Sequence, residues 1–312
     1  MAPGKPFDDD DEVTVNDGQA LSVAEDATTP FVETVPEPVD DEVPEDAGAP
    51  PEPDTVALRT LAVASLLRRL ELESRNAPLK EVEQLEAWVE EHGLHASFGP
   101  VAVELFDAPP GEWTEDDVAS VGWAAEELAV LAWALNRAEL PPMFARADVT
   151  PVLSTLPRSG DVTAFVGSAT VRDLALIDEA RALFATLEEA ARAETWARGI
   201  AADPSLADDE ENLEVVFDAL VDEGFDRAAV TAVRGKQGAA VDALEQWSQV
   251  LVTQLFSSGS PHAALAFDAK RLSTLDDDAL GTFLATCQLR SETLAWLLEG
   301  DEWAGDEDAA TE

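Results

Sequence analysis

Apolar residues along this chain recur mostly at three- and four-residue intervals, the spacing of helices with one buried face. The pattern begins at Thr55, where Val56, Leu58, Leu61, Leu66 and Leu70 predict a helix over 55–74. Pro78 suits a first helical position and opens a second helix, with Val82, Leu85, Trp88 and Val89 inward and Gly93 as its stop. A short helix is expected near 99–107, followed by a turn at Pro109, Pro110 and Gly111. Thr114 and Asp117 then have capping-box spacing, with Asp where Glu is more usual. They lead into the most apolar stretch of the chain, Val121–Pro142, which predicts a central buried helix running to about Ala138. Pro141 and Pro142 are its expected end, because proline cannot continue the hydrogen-bond ladder.

Beyond it the pattern loosens. Residues 141–167 are expected to be irregular, with at most one short strand at 162–166. Ser168 reads as the cap of a long helix to about Arg198, closed by Gly199. Asp208 or Asp209 caps the next, to Glu223, and Asp226 another, interrupted at Gly235 and Gly238 and resuming to about Phe256. After a loop at 257–261, Thr274 and Asp277 repeat the capping-box spacing and open a last helix to Glu299 with Gly300 behind it. The fold class is mainly α, an irregular multi-helix bundle of about nine helices.

The central helix carries its own puzzle. At 100° per residue, Trp123, Val130, Leu131, Trp133 and Leu135 spread over more than half its circumference, while Gly122, Ala125, Ala129 and Ala132 leave an arc where another helix can approach. Glu126 falls on the packed face between Val130 and Trp133. A buried carboxylate needs a partner, and Arg68 or Arg69 of the first helix is the expected one. That pairing gives Glu126 two readings: an ion pair that sets how two helices pack, or a site carboxylate whose burial raises its pKa.

Composition changes the picture at the ends. Residues 1–54 hold 17 acids, one base (Lys5) and nine prolines, with few large apolar residues to offset chain entropy. They are expected to form a disordered acidic arm ahead of a helical domain over 55–300, which an acidic tail, 301–312, follows. The acidity is not confined to the arm. The whole chain has 65 Asp plus Glu against 19 Lys plus Arg, a net charge of −46, and residues 55–312 keep −30 of it. Such a body repels nucleic-acid phosphates and anionic lipid and suits a basic protein partner or a salt-rich host. No stretch is long enough to cross a bilayer, which takes about 20 apolar residues, and no signal-peptide pattern opens the chain. A cytoplasmic protein is expected, of undetermined oligomeric state.

Motifs for chemistry are scarce. No phosphate-binding Gly-x-x-x-x-Gly-Lys-Ser/Thr loop, Gly-x-Gly-x-x-Gly or Gly-x-Ser-x-Gly is present. His92 and His95 are split by Gly93, where the helix is expected to stop, so they do not form the one-face pair of a metalloprotease. Cys287 is the only cysteine, which excludes an intrachain disulfide, and its apolar setting reads as an inert core thiol. No catalytic residue, cofactor or metal ligand is assigned. The residues singled out, as core or as site, are Arg68, Arg69, Trp123, Glu126 and Trp133.

Leu66-Leu67-Arg68-Arg69, Trp88, Trp113 and Trp123-x-x-Glu126-x-Leu128-x-x-Leu131-x-Trp133-Ala134-Leu135, with the Glu139-Leu140-Pro141 exit, resemble the domain of unknown function 4272 family. Arg172 and Trp196-x-Arg198 resemble a second block of it. The resemblance covers roughly 55–200 and implies a mainly helical fold with no catalytic residues to carry over. The function expected from all of this is protein–protein interaction by a non-enzymatic helical protein. The alternatives are an enzyme using a buried carboxylate–arginine pair, and an acidic mimic of nucleic acid that blocks a basic protein.

Overall fold

The computed structural model describes residues 48–158, 160, 162–202 and 269–300. The chain divides at Glu45–Asp46 into two units, and the described residues all belong to the second. Eight α-helices and two short 3-10 helices are found among them, with no strand. In chain order these are α1 (Pro53–Ser74), α2 (Leu79–Glu91), a 3-10 turn (Leu94–Ser97), α3 (Pro100–Asp107), α4 (Glu115–Ala134), α5 (Thr150–Thr155), α6 (Val162–Gly167), α7 (Leu174–Ala202), a 3-10 turn (Ala269–Thr274) and α8 (Asp277–Glu299). The helices expected between 208 and 256, the loop after them and His262 lie outside the described residues, as do most of the arm and the tail.

Two helix pairs build the core. α7 lies along α8, α1 lies along α4, and α4 also packs on α8 and so joins the pairs. The buried stripe of α1 includes Val56, Leu61 and Leu66, and that of α4 Leu128, Val130 and Leu131. Ile177, Phe184 and Leu187 of α7 meet Phe283 and Leu294 of α8 in the same cluster. Each fully buried side chain of this kind contributes about 1.5–3 kcal/mol. The α4–α8 contact is therefore the joint between the two pairs.

Several ends differ from the sequence expectation. α4 stops at Ala134, ahead of the prolines. Asn136 takes a left-handed φ of 58°, its N–H donates to the Trp133 carbonyl at 3.0 Å, and the Arg137 N–H donates back to Ala132 at 2.8 Å. That is a Schellman end with asparagine where glycine is commoner. α1 closes the same way at Asn76, φ 48°, although its last helical residue, Ser74, is where it was expected. The stretch expected as a strand is the helix α6, docked on α1 with Val162 buried. Its β-branched residues misled, because tertiary packing overrides propensity in so short a piece. The long helix begins at Leu174 rather than after Ser168, with the Asp173 carboxylate accepting from the Ala175 N–H at 3.0 Å, and it passes through Gly199 to Ala202.

The cap of α8 is Asp276, which accepts from the Ala279 N–H at 2.8 Å, and not Thr274. The Thr114–Asp117 box is present in both directions, with the Asp117 side chain accepting from the Thr114 N–H at 2.8 Å and the Thr114 hydroxyl from the Asp117 N–H at 3.1 Å. The Thr114 N–H and then its hydroxyl, which donates to Asp117 Oδ2 at 2.8 Å, hold the Asp117 carboxyl below the usual carboxylate range. Gly300 ends α8 at φ 65°. A side chain there would strike the Ala49 carbonyl, 2.0 Å from an added Cβ, so this stop must be glycine on two counts.

Candidate functional site

Glu126 is fully buried on α4, and its partner is Arg290 of α8 rather than either arginine of α1. Nε and Nη2 of Arg290 donate to Glu126 Oε2 at 3.0 and 2.6 Å. The remaining Arg290 donors go to carbonyls of the α4–α5 connection: Nη1 to Pro142 at 2.9 Å and, more weakly, to Pro141 at 3.5 Å, and Nη2 to Ala145 at 3.1 Å. The other carboxylate oxygen accepts from the Ala147 N–H at 2.9 Å, with Arg146 Nε at 3.8 Å. Phe184 of α7 covers the guanidinium, 5.3 Å from its ring centre. Five donors and a carboxylate are thus satisfied in a core from which water is excluded, the condition under which a buried pair holds together. The pair ties α4, α8 and the connecting loop into one joint.

Arg69 and Arg68 do other work. Arg69, also fully buried, donates to Glu73 at 3.0 Å, to Glu86 of α2 at 2.8 Å and to the Ala108 carbonyl at 2.8 Å. It ties α1 to α2 and to the end of α3. Arg68 donates to the carbonyls of Pro157, Leu156 and Leu153 at 2.6, 3.1 and 3.4 Å, closing the C-terminal end of α5. Trp133 is buried under Arg172, whose Nε donates to the Trp133 carbonyl at 2.6 Å. Arg198 gathers Glu194, Asp277 and the Leu272 and Leu275 carbonyls, joining α7 to the start of α8.

Trp123 is only half-buried and stands at the edge of a cavity of about 480 Å³ bounded by α1, α3, α4 and α8. Its wall is apolar, from Val63 and Leu66 of α1, Val101 and Leu105 of α3, Ala124 of α4 and Leu289 of α8. The polar groups at its margin are largely taken. Arg59 Nε donates to Glu127 at 2.7 Å and its guanidinium lies 4.1 Å over Trp296. Arg146 lies 4.1 Å over Trp123 and donates to the Gly122 carbonyl at 2.6 Å. Arg146 thus occupies the Gly122 position of the small-residue arc, where a helix was expected. Val101 remains 66% exposed at the rim. A concave apolar wall with few convergent polar groups is the usual form of a binding site.

His95 faces Asp107 at 3.9 Å and His92 meets Trp88 edge-on at 5.3 Å, with Gly93 at a left-handed φ of 65° between them. No group of three or more potential metal ligands is found among the described residues. Cys287 is buried and its thiol is pushed up out of its ordinary range by burial. No helix among the described residues is long and apolar enough to cross a membrane.

Neither Arg290 nor the Arg59–Glu127 pair is among the residues singled out from the sequence. Arg290 was visible in principle: it sits in register with Phe283, Cys287, Leu294 and Leu297, at core spacing along the last helix. An arginine in such a stripe needs an acid, as Glu126 needs a base.

No curated protein and no solved structure matches the chain. The residues that carried the resemblance are largely the ones that lock its joints, Arg68, Glu126, Arg172 and Arg198 among them, and the family match extends beyond them at both ends. The model of the family described as Domain of unknown function (DUF4272) matches residues 37–217, more than half of the chain, and the protein belongs to that family.

Proposed function

We propose that this protein acts by binding another protein, without chemistry of its own, and that the α1–α3–α4–α8 cavity receives an apolar anchor from a basic partner. The observation that carries this is the cavity itself, about 480 Å³ with an apolar wall and an exposed Val101 at its rim. Its arginine is neutralised by Glu127, while the elements around it expose acids, including Glu104, Asp116 and Glu292. Apolar anchor and acidic surround match a partner segment with an apolar face and basic flanks. The carboxylate–arginine pair that suggested catalysis is a poorer basis, because Glu126 and Arg290 spend their polar atoms on each other and on the backbone. A cytoplasmic setting goes with this reading, since the chain has only one cysteine and relies on no intrachain disulfide.

The test is a photoreactive residue placed at Val101 in the full chain, irradiated in extract of its host, with the adduct identified by mass spectrometry. A discrete adduct with a basic protein is expected. It should fade with rising salt, as charge-steered binding does, and disappear in an Ala124→Glu variant that charges the wall. An adduct unaffected by Ala124→Glu, or one with an acidic protein, overturns the proposal, as does labelling no different from that of the same probe at exposed Leu79 on α2.

A further inference from the structure

A second cavity, of about 940 Å³, lies beside α1 and α2 and reaches the α5–α6 connection at Arg158 and Gly160. Its wall includes two side chains that are more than nine-tenths buried and incompletely paired. Arg68 is 8% exposed and Trp88 7%, and the Arg68 Nε–H and the Trp88 indole N–H have no hydrogen-bond partner. The hydrogen bonds Arg68 does make all go to the neutral carbonyls of the α5 end. An unpaired buried donor costs about 1–3 kcal/mol and calls for an explanation. Here two of them belong to side chains of one cavity wall, with the Arg68 guanidinium 6.0 Å from the Trp88 ring centre.

The charges are as unusual as the hydrogen bonds. Eight other described arginines lie within salt-bridge distance of a carboxylate. Arg68 does not, and Arg158 beside it is exposed and makes no hydrogen bond, ion pair or ring contact among the described residues. Burial, and then the like charge of Arg158, push the Arg68 guanidinium down to about 10, with Glu71 pulling the other way. Two guanidinium groups close enough to repel each other, in a chain with 65 acids and 19 bases, are an arrangement that an anion relieves.

We propose that the Arg68–Trp88–Arg158 end of this cavity binds a small oxyanion, a phosphate or carboxylate group, with Arg158 as its exposed ion partner and the two unpaired N–H groups as its inner donors. Arginine's planar fork suits both oxyanions. The two inner donors have no solvent-accessible surface, so a small rotation of Trp88 accompanies entry. Carboxylates also line the cavity: Glu81 is held by Arg75, while Glu71 and Glu91 stand in the wall and limit the ligand to a small group at the arginine end. The −46 charge of the chain opposes approach from a distance, but at physiological salt such fields decay over about 8 Å, and the local pair decides.

The experiment is a titration of the full chain with inorganic phosphate and, separately, with acetate, at constant ionic strength made up with chloride. The readout is the ¹H–¹⁵N signal of the Trp88 indole, assigned by its loss in Trp88→Phe. A saturable shift in the roughly millimolar range is expected with at least one of the two anions, and which one saturates first tells phosphate from carboxylate. Arg158→Gln, an exposed change that leaves the core intact, should weaken that binding by tenfold or more. A Trp88 signal that stays still or drifts linearly with both anions overturns the proposal. So does an Arg158→Gln protein that binds as tightly as the parent, which would assign the unpaired donors to water.

Discussion

Arg290 and Arg68 are both buried arginines that gather backbone carbonyls at the end of an element, and they differ in how the remainder of the guanidinium is satisfied. Arg290 sits between α4, α7 and α8 with a carboxylate against its Nε edge and no donor left over. Arg68 sits between α1, α2 and the α5 end with three carbonyls, no carboxylate within salt-bridge distance, an unpaired Nε–H and a second arginine beside it. The first region is chemically closed, and its atoms serve folding. The second is left open on one side by the same kind of residue. Polar groups deep in a core are therefore a poor guide to a site unless something about them is unfinished.

The largest test of this contrast falls on the closed region. Glu126→Gln, or Arg290→Met, leaves a buried charge without its partner and should lower stability by roughly 3–5 kcal/mol. Replacing both, as Glu126→Leu with Arg290→Met, should cost less than either single change, because an apolar pair strands no charge. Urea unfolding midpoints at constant slope would measure all three. A Glu126→Gln protein as stable as the parent would mean that Arg290 is held by its carbonyls alone, and the region would no longer count as a paired joint.

How much of this could be read in the sequence follows from the range of each interaction. The helical class, the Thr114–Asp117 cap, the Gly93 stop and the burial of α4 rest on spacings within a turn or two, and those were legible. The burial of Glu126 was legible from its position on the helix face. Its partner was not, because Arg290 lies 164 residues further along the chain and helical periodicity orders residues only within an element. The nearer Arg68 and Arg69 lie on a neighbouring helix that does pack on α4, but with those two side chains turned toward α5 and α2. α4 stops at Ala134, short of the expected Ala138, because asparagine is a weaker stop signal than glycine or proline, whereas α1 ends at Ser74 as expected. The apolar cavity was illegible altogether, since it depends on four helices failing to close.

The next effect is smaller. Arg68→Met should cost about 1–3 kcal/mol, less than Arg290→Met, although both remove an arginine bound to carbonyls. Arg290→Met strands the buried Glu126 carboxylate, whereas Arg68→Met strands no charge and removes one that burial disfavours. Equal losses in the two variants would erase the distinction between the closed and the open region.

The smallest expected effect is the sharpest. Trp88 is the more deeply buried of two tryptophans on this side of the molecule, 7% exposed, while Trp113 is only half-buried. Burial alone predicts that Trp88→Phe is the more damaging change. Hydrogen bonding predicts the reverse order. Trp113 donates from Nε1 to the Leu105 carbonyl at 2.9 Å, so its replacement by phenylalanine strands an acceptor as well as losing ring contacts. The Trp88 indole N–H has no partner to lose, and removing it relieves about as much as the lost ring atoms cost, leaving a net change within about 1 kcal/mol. Measured side by side in buffer free of phosphate and carboxylates, Trp113→Phe should therefore be the less stable protein. If Trp88→Phe proves the less stable one, its N–H is already satisfied, and Arg68 and Arg290 no longer differ in the way that makes one wall of the molecule a binding surface and the other a joint.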